Sequence, residues 1–147
     1  KLFKRNLDVY MIAPIIGFLY NRKAELDRST QETTVIFPEQ LSNERNNMLF
    51  TYRLIILSDK EHEPEFNKRV DKAFRYYGKP EAQPDEELYE QYVRGGIDVL
   101  YEKILSKVSA EDDYLKNLYD FVEEVDTRYN SKISSEDIFN LCREIRG

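Results

Sequence analysis

The chain has 147 residues, 41% of them hydrophobic and 34% charged, which suits one globular domain with a real core and excludes a disordered chain. A net charge of −6 excludes broad, sequence-blind nucleic-acid binding, which needs a dominant basic field, but leaves room for a local basic patch. A single cysteine, Cys142, excludes an internal disulfide and a cysteine-built zinc site and fits a reducing cytoplasm.

Residues 6–26 predict a helix that is apolar all round its first turns, hence buried and central. The stretch VYMIAPIIGFLY (9–20) is too short to span a bilayer and meets charges at once, so no membrane partner is expected. Pro14 lies inside this helix, where proline removes a hydrogen bond and crowds the preceding turn. Either the helix kinks there or Pro14 opens a second one. Gly17 suits the close approach of a neighbouring helix. Residues 27–40 read as a loop with a short extended piece at 33–37, and Pro38 stands where a helix start tolerates it. From 42 to 58, Met48, Leu49, Tyr52, Ile55 and Ile56 repeat at helical spacing, with Leu54 and Leu57 widening that face.

Pro64 opens a third predicted helix running to Tyr77, with a buried stripe of Phe66, Val70, Ala73, Phe74 and Tyr77 and Gly78 at its end. Residues 79–87 form a linker and then the acidic first turn of a fourth helix, which runs to Lys107. That helix holds Gly95 and Gly96 side by side. Each glycine costs roughly 1 kcal/mol relative to alanine in a helix interior, so the pair calls for a packing reason, and Gly96 is expected to cross tightly against Gly17. Two more helices follow, opened by Ser109 with Asp112 and by Ser134 with Asp137, which approximate capping boxes. The expected fold is all-α: a bundle of about six helices with at most one short extended segment. It spans 1–147 as one domain, with 109–147 as a semi-independent C-terminal helical pair in the alternative division.

Constellations for chemistry are sparse. His62, the one histidine, lies in an acidic turn and reads as solvated. Cys142, beside Leu141 and Ile145, reads as a small buried hydrophobe. The carboxylates fall in first turns and solvated faces, as the helix dipole favours. No catalytic residue, cofactor or metal site is assigned. The segment DTRYNSKISSED (126–137) has the length of a calcium loop, with Asp126, Asn130, Ser134 and Asp137 at positions that ligate. Arg128 in the ring, Ser131 in place of glycine and Asp137 in place of glutamate argue for a plain helix–helix turn instead. Eleven tyrosines point to rings buried at the core boundary with wet hydroxyls. The basic groups are Arg22 and Lys23 after the first helix, and Lys68, Lys72 and Arg75 on one face of the third, set opposite its apolar stripe.

Three pieces together resemble one family. NLDVYMIAPIIGFLYNRKAEL has an apolar helix ending in Gly17-Phe18 and followed by Arg22 and Lys23. FTYRLIILSD gives a central apolar helix, and YEQYVRGGIDVLYEKI supplies Glu90, Tyr92, Gly95 and Gly96. These resemble the small proteins encoded beside DNA-phosphorothioation (dnd) modification and restriction genes in bacteria. The resemblance covers residues 5–107; Pro14 departs from the pattern and the residues beyond Lys107 lie outside it. It implies a setting, bacterial DNA modification or antiphage defence, rather than a reaction. The leading expectation is a non-enzymatic helical adaptor that contacts other proteins of such a system. The first rival is a DNA-binding regulator or accessory subunit using Arg22, Lys23, Lys68, Lys72 and Arg75. The second rival is an enzyme whose site is assembled from scattered residues.

Overall fold

Asp8 starts the first helix: one of its carboxylate oxygens accepts the Arg5 amide at 2.9 Å and the other accepts two bonds from the Arg5 guanidinium. In the computed structural model, which describes residues 3–29, 38–106 and 108–130 with helical residues 136, 139, 140, 142 and 143 beyond them, the chain is all-α. Five α-helices are present among the described residues, and no strand: α1 (Asn6–Leu19), α2 (Pro38–Ser58), α3 (Phe66–Val70), α4 (Gln83–Leu100) and α5 (Glu111–Tyr129). π-helical turns extend α3 (Asp71–Arg75) and α4 (Tyr101–Leu105). The extended piece at 33–37 and the Ser134–Asp137 cap fall outside the described residues.

The first helix passes through Pro14 without ending and stops at Leu19, short of the expected 26. Asn21 takes φ 48°, a left-handed conformation that asparagine tolerates. The amides of Asn21 and Arg22 then bond back to Phe18 and Gly17 at 3.0 and 2.8 Å, a paired C-terminal cap. This reversal sends residues 22–29 along α4 rather than onward as helix. The Ala24 amide reaches the Gln91 carbonyl at 3.1 Å, and Arg94 Nε returns a bond to the Ala24 carbonyl at 2.9 Å.

The chain divides into two compact units, Lys1–Glu102 and Lys103–Gly147. In the first, α1 packs chiefly on α4, with α2 against both. Leu7, Ala13 and Ile16 of α1, Tyr52, Ile55 and Ile56 of α2, and Leu88, Tyr92, Val93 and Val99 of α4 are all buried. The expected stripe of α3 holds at Ala73, which is buried, and is corrected at Phe66 and Phe74, which are exposed; the buried residue of the α-helical part is Arg69. An i→i+5 bond from the Tyr76 amide to the Asp71 carbonyl, at 2.9 Å, breaks the 3.6-residue phase on which Phe74 was placed in that stripe.

In the second unit Ile104 and Phe121 are buried, and Asn117 donates to the Ile104 carbonyl at 3.1 Å. The cap of α5 comes from Asp113, not Asp112: one Asp113 oxygen accepts the amides of Ser109 and Ala110, each at 2.8 Å. Cys142 is exposed rather than buried. Asp126 and Arg128, placed in a loop by the calcium comparison, belong to the last turns of α5.

Candidate functional site

The site begins with two aromatic rings that the fold leaves uncovered. Phe50 and Leu54 stand one helical turn apart on α2, 67% and 46% exposed, and Phe74 on the π-helical turn is 51% exposed. Together with Leu49, Leu57 and Arg53 they line an open apolar groove of about 430 Å³. The opposite face of α2 carries Tyr52, Ile55 and Ile56 into the core, so α2 is apolar on two sides and only one of them is used within the first unit.

Arg53 fastens the two walls. Its guanidinium lies 4.7 Å from the centre of the Phe74 ring, and its Nε donates to the Ala73 carbonyl at 3.3 Å. A cation over an aromatic face and a hydrogen bond to the next carbonyl fix the angle at which Phe74 projects.

Behind the groove, the loop between α2 and α3 is held by a buried polar network. Arg69 donates from Nε to the Leu57 carbonyl and from Nη1 to the carbonyls of Glu63 and Pro64, all at 2.8 Å. Asp59 accepts the His62 amide at 2.9 Å on one oxygen and the Tyr92 hydroxyl at 2.7 Å on the other. Burial first, and then the bond to Asp59, push the Tyr92 phenol well above its ordinary value. The network closes on Asp85, only 1% exposed, whose Oδ1 lies 2.8 Å from His62 Nε2 and 3.1 Å from Lys72 Nζ. Glu63 is the next carboxylate out, 3.8 Å from Lys72.

His62 is therefore corrected: it is half-buried and anchored, not a solvated loop residue. Asp85 is likewise no solvated first-turn acid. A carboxylate so buried is tolerated because two cation-capable partners and their hydrogen bonds replace its water. The groups engage one another, which suits a fastening of α4 and the π-helical turn after α3 to the loop between α2 and α3.

The sequence-assigned basic residues are spread over different partners. Arg22 pairs with Glu102 at 3.0 Å, Lys68 with Glu65 at 2.8 Å and Arg75 with Asp71 at 3.9 Å. Lys23 sits over the Tyr92 ring, 5.0 Å from its centre. Lys72 turns inward to Asp85, so it does not share an exposed face with Lys68 and Arg75. Of the family-motif residues, Glu90 accepts the Tyr10 hydroxyl at 2.5 Å, and Tyr92 is buried with its ring edge-on to Phe18. Gly17, Gly95 and Gly96 are enclosed by backbone: carbonyls of Tyr92, Arg22 and Ala13 respectively occupy the places where their Cβ atoms would stand.

Sequence reasoning missed Phe50, Arg53, Asp59, Arg69 and Asp85. The spacing of Phe50 and Leu54 was the available signal for the groove, since it marks a second apolar edge on α2. Among the described residues no three His, Cys, Asp or Glu side chains are grouped to hold a metal ion, and no helix is long and apolar enough to cross a membrane. No protein-family model matches the chain, and no curated protein or solved structure matches it either.

Proposed function

We propose that the chain is a non-enzymatic helical adaptor that receives an apolar helix of a partner protein in the groove between α2 and α3. The observation that carries this reading is the exposure of Phe50, Leu54 and Phe74 around one groove whose walls are already fastened by Arg53. Covering a Phe or Leu side chain contributes roughly 1.5–3 kcal/mol, and an amphipathic helix offers apolar anchors at matching one-turn spacing. The three segments that resemble the small proteins of DNA-phosphorothioation clusters support a bacterial DNA-modification or antiphage setting, in the cytoplasm, with the partner drawn from neighbouring genes.

Co-expression with the products of those genes tests the proposal. Wild type is expected to retain one of them through purification, and Phe50→Asp to weaken the complex at least about tenfold, as loss of a central aromatic anchor does. An inert monomer that retains none of these products would sink the adaptor reading. A complex indifferent to Phe50→Asp would sink the assignment to this groove.

A further inference from the structure

A second cavity, of about 500 Å³, opens where Tyr52, Tyr77, Tyr89 and Met48 meet Glu86 and Glu90. Its size falls within the roughly 300–1,000 Å³ of small-ligand sites. The three rings form a cluster: the Tyr52 centre lies 5.2 Å from that of Tyr77 and 5.6 Å from that of Tyr89. Tyr52 is 4% exposed, and its hydroxyl is a buried polar atom without a hydrogen-bond partner. That oxygen is closed to solvent, so Tyr52 offers the cavity ring carbons rather than a hydrogen-bonding atom.

The charge of the wall says what kind of ligand suits it. Glu87 is neutralised by Arg94 at 2.6 Å. Glu90 accepts the Tyr10 hydroxyl but, like Glu86, has no ion-pair partner among the described residues. Burial, then the charges of Asp85 and Glu86, push the Tyr52 phenol up, which keeps it protonated and places it within the influence of those carboxylates. Aromatic faces attract cations, and carboxylates neutralise them and accept their N–H bonds.

We infer that this cavity binds an organic cation carrying N–H donors, an alkylammonium or alkylguanidinium group. The nitrogen donates to Glu86 and Glu90, which balance its charge, and the alkyl stem lies against the tyrosine rings and Met48. The chemistry is shared by a free amine and by a lysine or arginine side chain of a peptide. The cavity is independent of the groove proposed for the partner helix, so either assignment can fail alone.

Titration of the full chain, followed by NMR of its tyrosine rings, provides the test. n-Butylammonium is expected to saturate the site at millimolar concentration, shifting the Tyr52, Tyr77 and Tyr89 rings, while n-butanol and butyrate bind at least about tenfold more weakly. Glu86→Gln and Glu90→Gln should each weaken n-butylammonium about tenfold. Tyr52→Phe should fold with an unchanged or higher melting temperature and bind n-butylammonium as wild type does, because it keeps the ring and removes only an unpartnered, enclosed hydroxyl. Tighter binding of Nα-acetyl-lysine amide than of n-butylammonium would support the site with a peptide side chain as its source, and the reverse order would support it with a free amine. A flat titration, equal binding of n-butanol, or affinity unchanged in both glutamate variants would overturn the assignment.

Discussion

Gly17 of α1 and Gly96 of α4 meet backbone to backbone: a Cβ built on Gly17 would stand 3.0 Å from the Gly96 nitrogen, and one built on Gly96 would stand 2.9 Å from the Gly17 nitrogen. Each would also collide with a carbonyl group of the facing helix, Tyr92 for Gly17 and Ala13 for Gly96. Gly95 meets a different partner, the Arg22 carbonyl in the segment that follows the α1 cap. Two adjacent glycines are thus required because α1 and the chain leaving it press on two neighbouring strips of α4.

Gly96→Ala should therefore destabilise the protein by about 3 kcal/mol or more, since the obstruction is backbone and cannot rotate away. Gly78→Ala is the control: its φ of 74° is unfavourable for alanine, but nothing lies within 4 Å of the added methyl. It should cost roughly 1–2 kcal/mol. Urea denaturation of both variants checks the order, and a Gly96→Ala protein as stable as Gly78→Ala would contradict the tight crossing.

Asp85→Asn should lower stability by about 2–3 kcal/mol, less than for a wholly buried pair because its partners His62 and Lys72 are partly solvated. Lys72→Met should cost less, about 1–2 kcal/mol, because Asp85 keeps its bond to His62 and the methionine retains the apolar stem. Chemical denaturation of the two variants measures the asymmetry. Equal losses would mean that the Lys72 bond, not the His62 bond, holds the buried carboxylate.

Much of this architecture was legible in the chain, and the parts that were not share a physical cause. Met48, Tyr52, Ile55 and Ile56 announce α2 because their spacing is local and helical. The Gly17–Gly96 contact was readable because glycine in a helix needs a reason and each residue supplied the other's. Asp85, by contrast, follows Pro84 and precedes two glutamates, so it looks like any acidic first turn. Its burial is set by His62 and Lys72, 23 and 13 residues away. Phe74 was assigned to the core because the 3.6-residue period was continued through Asp71–Arg75, where the chain makes a π-helical turn. The orphan hydroxyl of Tyr52 has no sequence signal: what distinguishes it from the satisfied hydroxyl of Tyr92 is the presence of Asp59 beside the latter.

The cap of α5 carries a pH dependence. Bonds from the Ser109 and then the Ala110 amides hold the Asp113 carboxyl below its ordinary 3.8. A carboxyl lowered by folding contributes stability that is complete above its unfolded value and is lost as pH falls through its folded one. The Ser109 and Ala110 amide shifts should accordingly titrate with a midpoint below 3.8, and α5 helicity should decline over the same range. Asp113→Ala should remove both titrations. A midpoint at or above the ordinary aspartate value would contradict the cap.

Arg69 is the last test, and it separates shape from charge. Its guanidinium satisfies the carbonyls of Leu57, Glu63 and Pro64 with donors on two nitrogens, a fork that an ammonium on a flexible stem does not reproduce. Arg69→Lys keeps the positive charge but leaves at least one buried carbonyl unpaired, and should cost about 2 kcal/mol. Because those carbonyls belong to the end of α2 and the approach to α3, the loss should also reach the groove. The Phe74 ring resonances, set by the Arg53 guanidinium stacked on it, should shift in Arg69→Lys and stay in place in Lys68→Ala, whose partner is the exposed Glu65. If charge alone mattered at this position, Arg69→Lys would match wild type in both stability and ring shifts.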